Sequence, residues 1–207
     1  MKTVRNLIIV DESGSMETIR KEAFTGINET IQTVKMMQEK YPDMLQTITL
    51  LTFDSNNMKL HYDDVPAGKV KLLDWKDYQP CAGTPLYDAI GKGVTSVFTK
   101  SDVDDKVLVT IITDGYENSS CEYDYGMISK LIAKMKKQGW MFAFIGTDDI
   151  AVEEISKGLN IDSFHKFERS AEGTRNMWDK EMKSRMRFNE YAIKDMPMAS
   201  KAYFDED

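Results

Sequence analysis

Three short segments carry hydroxyl and carboxylate side chains at positions from which they can act together. The first reads Asp11-Glu12-Ser13-Gly14-Ser15. Asp11, Ser13 and Ser15 alternate, so three oxygen-bearing side chains can converge on one turn, and Gly14 lets the backbone bend between them. The second reads Gly83-Thr84-Pro85, a hydroxyl at a helix start. The third reads Thr113-Asp114-Gly115, a carboxylate at the end of an apolar strand. Oxygen ligands without His or Cys suit Mg2+, Mn2+ or Ca2+ rather than zinc or copper.

The elements around these segments alternate between strand and helix. Val4 to Val10 is short, apolar and β-branched, and it reads as a buried strand. Apolar residues at Met16, Ile19, Ala23, Ile27, Ile31, Val34 and Met37 step by three and four, which predicts one long helix ending before Pro42. Leu45 to Phe53 is a second strand, and Met58 to Val65 returns as an antiparallel edge. Pro66 to Ala82 reads as mostly irregular with one short helical turn. Thr84 suits an N-cap and Pro85 the first turn of a helix reaching Phe98. Lys106 to Thr113 is apolar on both faces, as a central parallel strand should be. Helices at Tyr123 to Gln138, Asp148 to Lys157 and Ser170 to Tyr191 alternate with strands at Trp140 to Ile145 and Asp162 to Lys166. The order predicts a Rossmann-like, doubly wound α/β fold, with six mostly parallel strands, one antiparallel edge and helices on both faces. Such sheets bind ligands at the carboxyl ends of the strands, where strand order reverses.

Composition bounds the function. The chain has 207 residues, 42% hydrophobic and 29% charged, which suits one globular domain. That domain is expected over residues 1–195, with a frayed acidic tail over 196–207. The net charge of −7 disfavours nucleic acid and anionic lipid as partners. No apolar run approaches the ~18 residues of a membrane span. Leu7 to Val10 is too short for a signal-peptide core. The expected compartment is therefore the cytoplasm, where Cys81 and Cys121 would stay free thiols rather than lock the threonine loop as a redox pair. His61 and His165 lack ligand spacing.

Taken together, Asp11-x-Ser13-x-Ser15-Met16, Gly83-Thr84-Pro85-Leu86-Tyr87-Asp88-Ala89-Ile90 and Ile112-Thr113-Asp114-Gly115 resemble the von Willebrand factor type A (vWA) domain, and the second run its bacterial intracellular members. The resemblance covers residues 4–167. It implies a metal-ion-dependent adhesion site (MIDAS). Ser13 and Ser15 would then bind the cation through hydroxyls, Thr84 directly or through water, and Asp11 and Asp114 would hold coordinated waters. Neutral direct ligands would leave the cation electrophilic, with a position open to a partner's Asp or Glu. Glu12, Asp54, Tyr116, Glu117 and Asn118 would form the rim that sets specificity. In family members that switch, the last helix moves with Thr84 ligation.

Plainer readings compete. Asp11 and Ser13 would also serve as helix caps. A magnesium-dependent hydrolase or phosphoryl-transfer enzyme would need parts the chain lacks. It has no P-loop, no Gly-x-Ser-x-Gly elbow and no His in a motif near Ser13, and Ser13 stands where an Asp-x-Asp pattern starting at Asp11 would need its second aspartate. A third alternative is an assembly subunit with a purely structural metal. It would self-associate, with the Asp205-Glu206-Asp207 tail as the acidic ligand for a neighbouring copy.

Overall fold

A computed structural model describes residues 2–147, 152–196 and 203–204. Strand β1 (Lys2–Asp11) is buried from Thr3 onwards. Its even and odd residues feed two separate cores, as a period of two demands. Val4, Ile8 and Val10 join one cluster, and Leu7 and Ile9 the other. A 3-10 turn over Gly14–Ile19 follows, and only then α1 (Arg20–Lys40). The single long helix expected from Met16 is thus divided. Met16 and Ile19, three residues apart, face the core together on a turn of three residues.

Strand β2 (Met44–Phe53) pairs parallel to β1, and β3 (Met58–Pro66) closes that edge antiparallel. The stretch to Thr84 holds two 3-10 turns, Ala67–Lys69 and Trp75–Asp77, where one was expected. Then come α2 (Leu86–Phe98), β4 (Lys106–Thr113), α3 (Tyr125–Lys137) and β5 (Met141–Thr147). The chain continues through α4 (Val152–Gly158), β6 (Ser163–Phe167) and α5 (Ala171–Ile193). The expected start of the fourth helix, residues 148–151, lies outside the described residues.

The sheet order is β3-β2-β1-β4-β5-β6. This is the six-stranded, mostly parallel sheet with one antiparallel edge that the sequence pattern predicts. Helices α1 and α5 cover one face, and α2, α3 and α4 the other. Gly26 of α1 permits the close crossing with α5, because a Cβ there would overlap the indole of Trp178. The chain winds outward from β1 in one direction and from β4 in the other. The carboxyl ends of these two neighbours, Asp11 and Thr113, therefore meet at the crevice where strand order reverses.

A polar layer crosses the α5 face of the sheet. Arg185 donates to Glu181 at 2.6 Å, to Asn6 Oδ1 at 2.7 Å and to Thr110 Oγ1 at 2.8 Å. Both members of the ion pair are fully buried. Gln46 Nε2 donates to Asn189 Oδ1 at 2.7 Å. Most of the tail expected to fray lies outside the described residues, but Tyr203 and Phe204 depart from that expectation. Both are buried, and the Tyr203 hydroxyl donates to Glu181 at 3.0 Å.

Candidate functional site

Asp11 ends β1 fully buried. Its Oδ1 accepts from the Ser13 backbone N–H at 2.7 Å, and its Oδ2 from Thr113 Oγ1 at 2.6 Å. Burial pushes the Asp11 carboxyl up to about 7, against the pull of these two bonds and with a smaller push from Asp114. The Asp11–Ser13 turn aims Ser13 and Ser15 the same way, with their hydroxyl oxygens 3.2 Å apart. Ser15 Oγ donates to Asp114 Oδ1 at 2.6 Å, across 99 positions of sequence. Ser13 stands at the N-cap of the 3-10 turn without a side-chain capping bond. Its hydroxyl is turned toward Ser15 instead.

Thr84 arrives by a different route. The segment before it runs as a strap across the strand ends. The Cys81 N–H donates to the Glu12 carbonyl at 2.8 Å, and the Gly14 N–H to the Ala82 carbonyl at 3.1 Å. The Ser55 N–H donates to the Gly83 carbonyl at 3.0 Å. Buried Tyr78 donates from its hydroxyl to the Asp11 carbonyl at 2.7 Å, fixing the end of β1. Thr84 was expected to cap α2, but the cap position belongs to Pro85 and has no side-chain bond. The Thr84 N–H donates to Asn118 Oδ1 at 2.8 Å. Its side chain faces Gly115. A Cβ on Gly115 would lie 3.2 Å from Thr84 Oγ1, 3.8 Å from Ser15 Oγ and 4.0 Å from Asp11 Oδ2. The space beside Gly115, in the third loop, is thus bounded by oxygens from the other two, and it stays open because residue 115 has no side chain.

The rim residues divide. Tyr116 and Asn118 are exposed beside this space. Glu12 and Asp54 are 1% and 4% exposed, so they offer a partner almost no surface. Glu12 Oε1 accepts from Lys59 Nζ at 2.9 Å and from the Gln79 N–H. Asp54 Oδ1 accepts from the N–H groups of Asn56 and Asn57, closing the turn after β2. Glu117 accepts from Ser119, Ser120 and Tyr87, tying its loop to α2. Three further residues shape the site without having been anticipated from sequence. Thr113 orients Asp11. Asp88 accepts from the N–H groups of Cys121, Glu122 and Tyr123. Arg169 donates to the Asp114 carbonyl at 2.5 Å and sits 3.4 Å from its Oδ2.

The donor set is two buried carboxylates and three hydroxyls. Among the described residues no group of three or more His, Cys, Asp or Glu side chains is placed to hold an ion. Hydroxyls must supply the remaining donors, and an oxygen set of this kind suits a hard cation. The residues present therefore fit a divalent ion. His61 Nε2 lies 2.8 Å from Thr52 Oγ1, and the His165 ring packs on Phe204, so neither histidine is engaged with the serines.

Solved structures share this arrangement of strands and helices. The vWF domain of the type V pilus tip protein from Porphyromonas gingivalis matches at 14% identity, with 86% of this chain and 94% of that chain covered and a TM-score of 0.55. The SpRpn10 VWA domain matches at 11% identity, with coverages of 89% and 95% and a TM-score of 0.56. The fold is vWA-like. Identities this low speak for the fold alone. The vWA-like chain also matches the PilB minor pilin from Streptococcus sanguinis, with 11% identity, 91% of this chain covered and a TM-score of 0.62. It spans 62% of that protein's length. No protein-family model matches the sequence, and no curated protein matches it either. No helix among the described residues is long and apolar enough to cross a membrane.

Proposed function

We propose that this vWA-like domain is a non-enzymatic protein-binding module of the adhesion type, dependent on a divalent cation. The observation that carries this reading is the meeting of oxygens from Asp11, Ser15 and Thr84 beside Gly115, with Ser13 and Asp114 each tied to Ser15. Ser13, Ser15 and Thr84 would hold the ion through hydroxyls, with Asp11 and Asp114 behind them. Magnesium is the resident ion in this reading, with manganese or calcium able to replace it. When bound, the cation supplies one point of positive potential on an acidic surface, with a position open to an Asp or Glu of a protein partner. Tyr116 and Asn118 are the exposed rim residues that would touch that partner. The likeness to pilus proteins, among them the SpaC pilus adhesin from Lactobacillus rhamnosus GG, supports a binding role. The cytoplasm is the compartment in this reading, which two exposed free thiols would suit.

Anomalous diffraction from crystals soaked in Mn2+ tests the site directly. The expected result is one strong peak beside Gly115. Pull-downs with and without chelator then test the partner. If the site takes up no Mn2+ at millimolar concentration, with its hydroxyls bonded only to protein, the proposal is wrong.

A further inference from the structure

We propose that Arg169 is a built-in counter-ion of this site, pairing with Asp114 and opposing cation entry. The inference rests on the metal-binding reading and goes beyond it by naming what sets the affinity. Asp114 is fully buried, and its two carboxylate oxygens face different partners. Oδ1 accepts from Ser15. Oδ2 lies 3.4 Å from Arg169 Nη2, which also donates to the Asp114 carbonyl at 2.5 Å. One guanidinium nitrogen thus engages both the backbone and the side chain of a single residue.

Two features make this more than a fixed structural tie. Arg169 is anchored at its base, because the next residue, Ser170, caps α5 by accepting from the Gly173 N–H at 3.0 Å. Its side chain is 29% exposed while that of Asp114 is at 0%, so the arginine has a route to solvent that the carboxylate lacks. A guanidinium does not lose its proton in proteins. A divalent cation entering beside Asp114 therefore meets a permanent positive charge, and that charge must swing aside or be tolerated. Even at an effective dielectric of about 20, two like charges a few ångströms apart repel strongly enough to change affinity several-fold.

The test is titration of Mn2+ into the full chain by calorimetry, for wild type, Arg169→Gln and Arg169→Lys, with melting curves of each in chelator. Removing the charge in R169Q is expected to tighten Mn2+ binding about tenfold and to lower the melting temperature of the ion-free protein. R169K keeps the charge and is expected to stay within about threefold of wild type. A merely structural arginine would give the opposite sign, since its loss would loosen the site. The proposal is overturned if R169Q binds no tighter than a wild type that does bind Mn2+. It is also overturned if R169K gains as much as R169Q, or gains tenfold where R169Q does not fold. If neither wild type nor R169Q binds while both melt cooperatively, the metal reading fails and this inference fails with it.

Discussion

Thr113 Oγ1 donates to Asp11 Oδ2 at 2.6 Å, joining the ends of β1 and β4 on either side of the point where the sheet order reverses. Both residues are fully buried. Thr113→Val keeps the shape and removes the donor, leaving a buried carboxylate oxygen short of its partner. That should destabilise the domain by about 1–3 kcal/mol, read as a melting temperature lower by several degrees. Thr113→Ser should restore most of the loss. An unchanged melting temperature in the valine variant would mean that Asp11 is held by something else.

Gly115 borders the candidate site, with oxygens of Asp11, Ser15 and Thr84 around it. A Cβ there would lie 3.2 Å from Thr84 Oγ1, closer than ordinary packing allows. Gly115→Ala should weaken Mn2+ binding by about tenfold or more, through a small shift of Thr84 and with stability changed by about 1 kcal/mol or less. Calorimetry and a melting curve on the same sample separate the two effects. Full-strength binding in the alanine variant would place the ion elsewhere.

The buried pair Arg185–Glu181 should behave asymmetrically. Arg185→Met leaves Glu181 charged and enclosed, with only neutral donors such as the Tyr203 hydroxyl. Breaking such a pair on one side costs about 3–5 kcal/mol, whereas replacing both members with apolar residues is often nearly neutral. Urea unfolding of Arg185→Met beside Arg185→Met/Glu181→Leu should show the double variant as the more stable of the two.

Acid stability carries a signature of His165. Burial pushes its imidazole down to about 4, with help from the positive charge of Lys180. An unfolded histidine titrates near 6.5. Between 6.5 and about 4 the unfolded chain therefore binds a proton that the folded domain refuses, and stability falls as pH drops through that window. Below about 4 the contribution is flat. His165→Phe should melt with a shallower decline than wild type over the same range. Parallel curves would show that the histidine protonates freely in the folded state.

The main sheet was legible because its strands are short apolar runs bounded by polar turns. Lys106–Thr113 is the clearest case, with the same bounds in sequence pattern and structure. The meeting of the three oxygen-rich loops follows from strand order, since β1 and β4 are neighbours and the segment before α2 lies across their ends. Much of what holds that meeting in place was not legible. Asn6, Gln46 and Thr110 look like interruptions in apolar strands, and their partners on α5 lie 179, 143 and 75 residues away. Glu12 reads as a surface carboxylate beside the serines, yet the Gln79 N–H and Lys59 draw it inward. Thr84 has the residue type of a cap, but Asn118 takes its N–H and Pro85 takes the cap position. Each miss is a side chain whose partner is set by tertiary approach rather than by local pattern.

The place of Tyr203 in the polar layer has a consequence for how the chain is made. Its hydroxyl adds a bond to Glu181 Oε1, whose partner Arg185 reaches back to Asn6 on β1. Strand β1 sits mid-sheet, so half of its pairing waits for β4, about a hundred residues later. During translation the early strands and α1 would leave the ribosome with apolar faces uncovered. The layer closes only after residue 203 has emerged. Completion of this fold therefore waits for residue 203, and the shorter nascent chain carries the kind of uncovered apolar surface that chaperones bind.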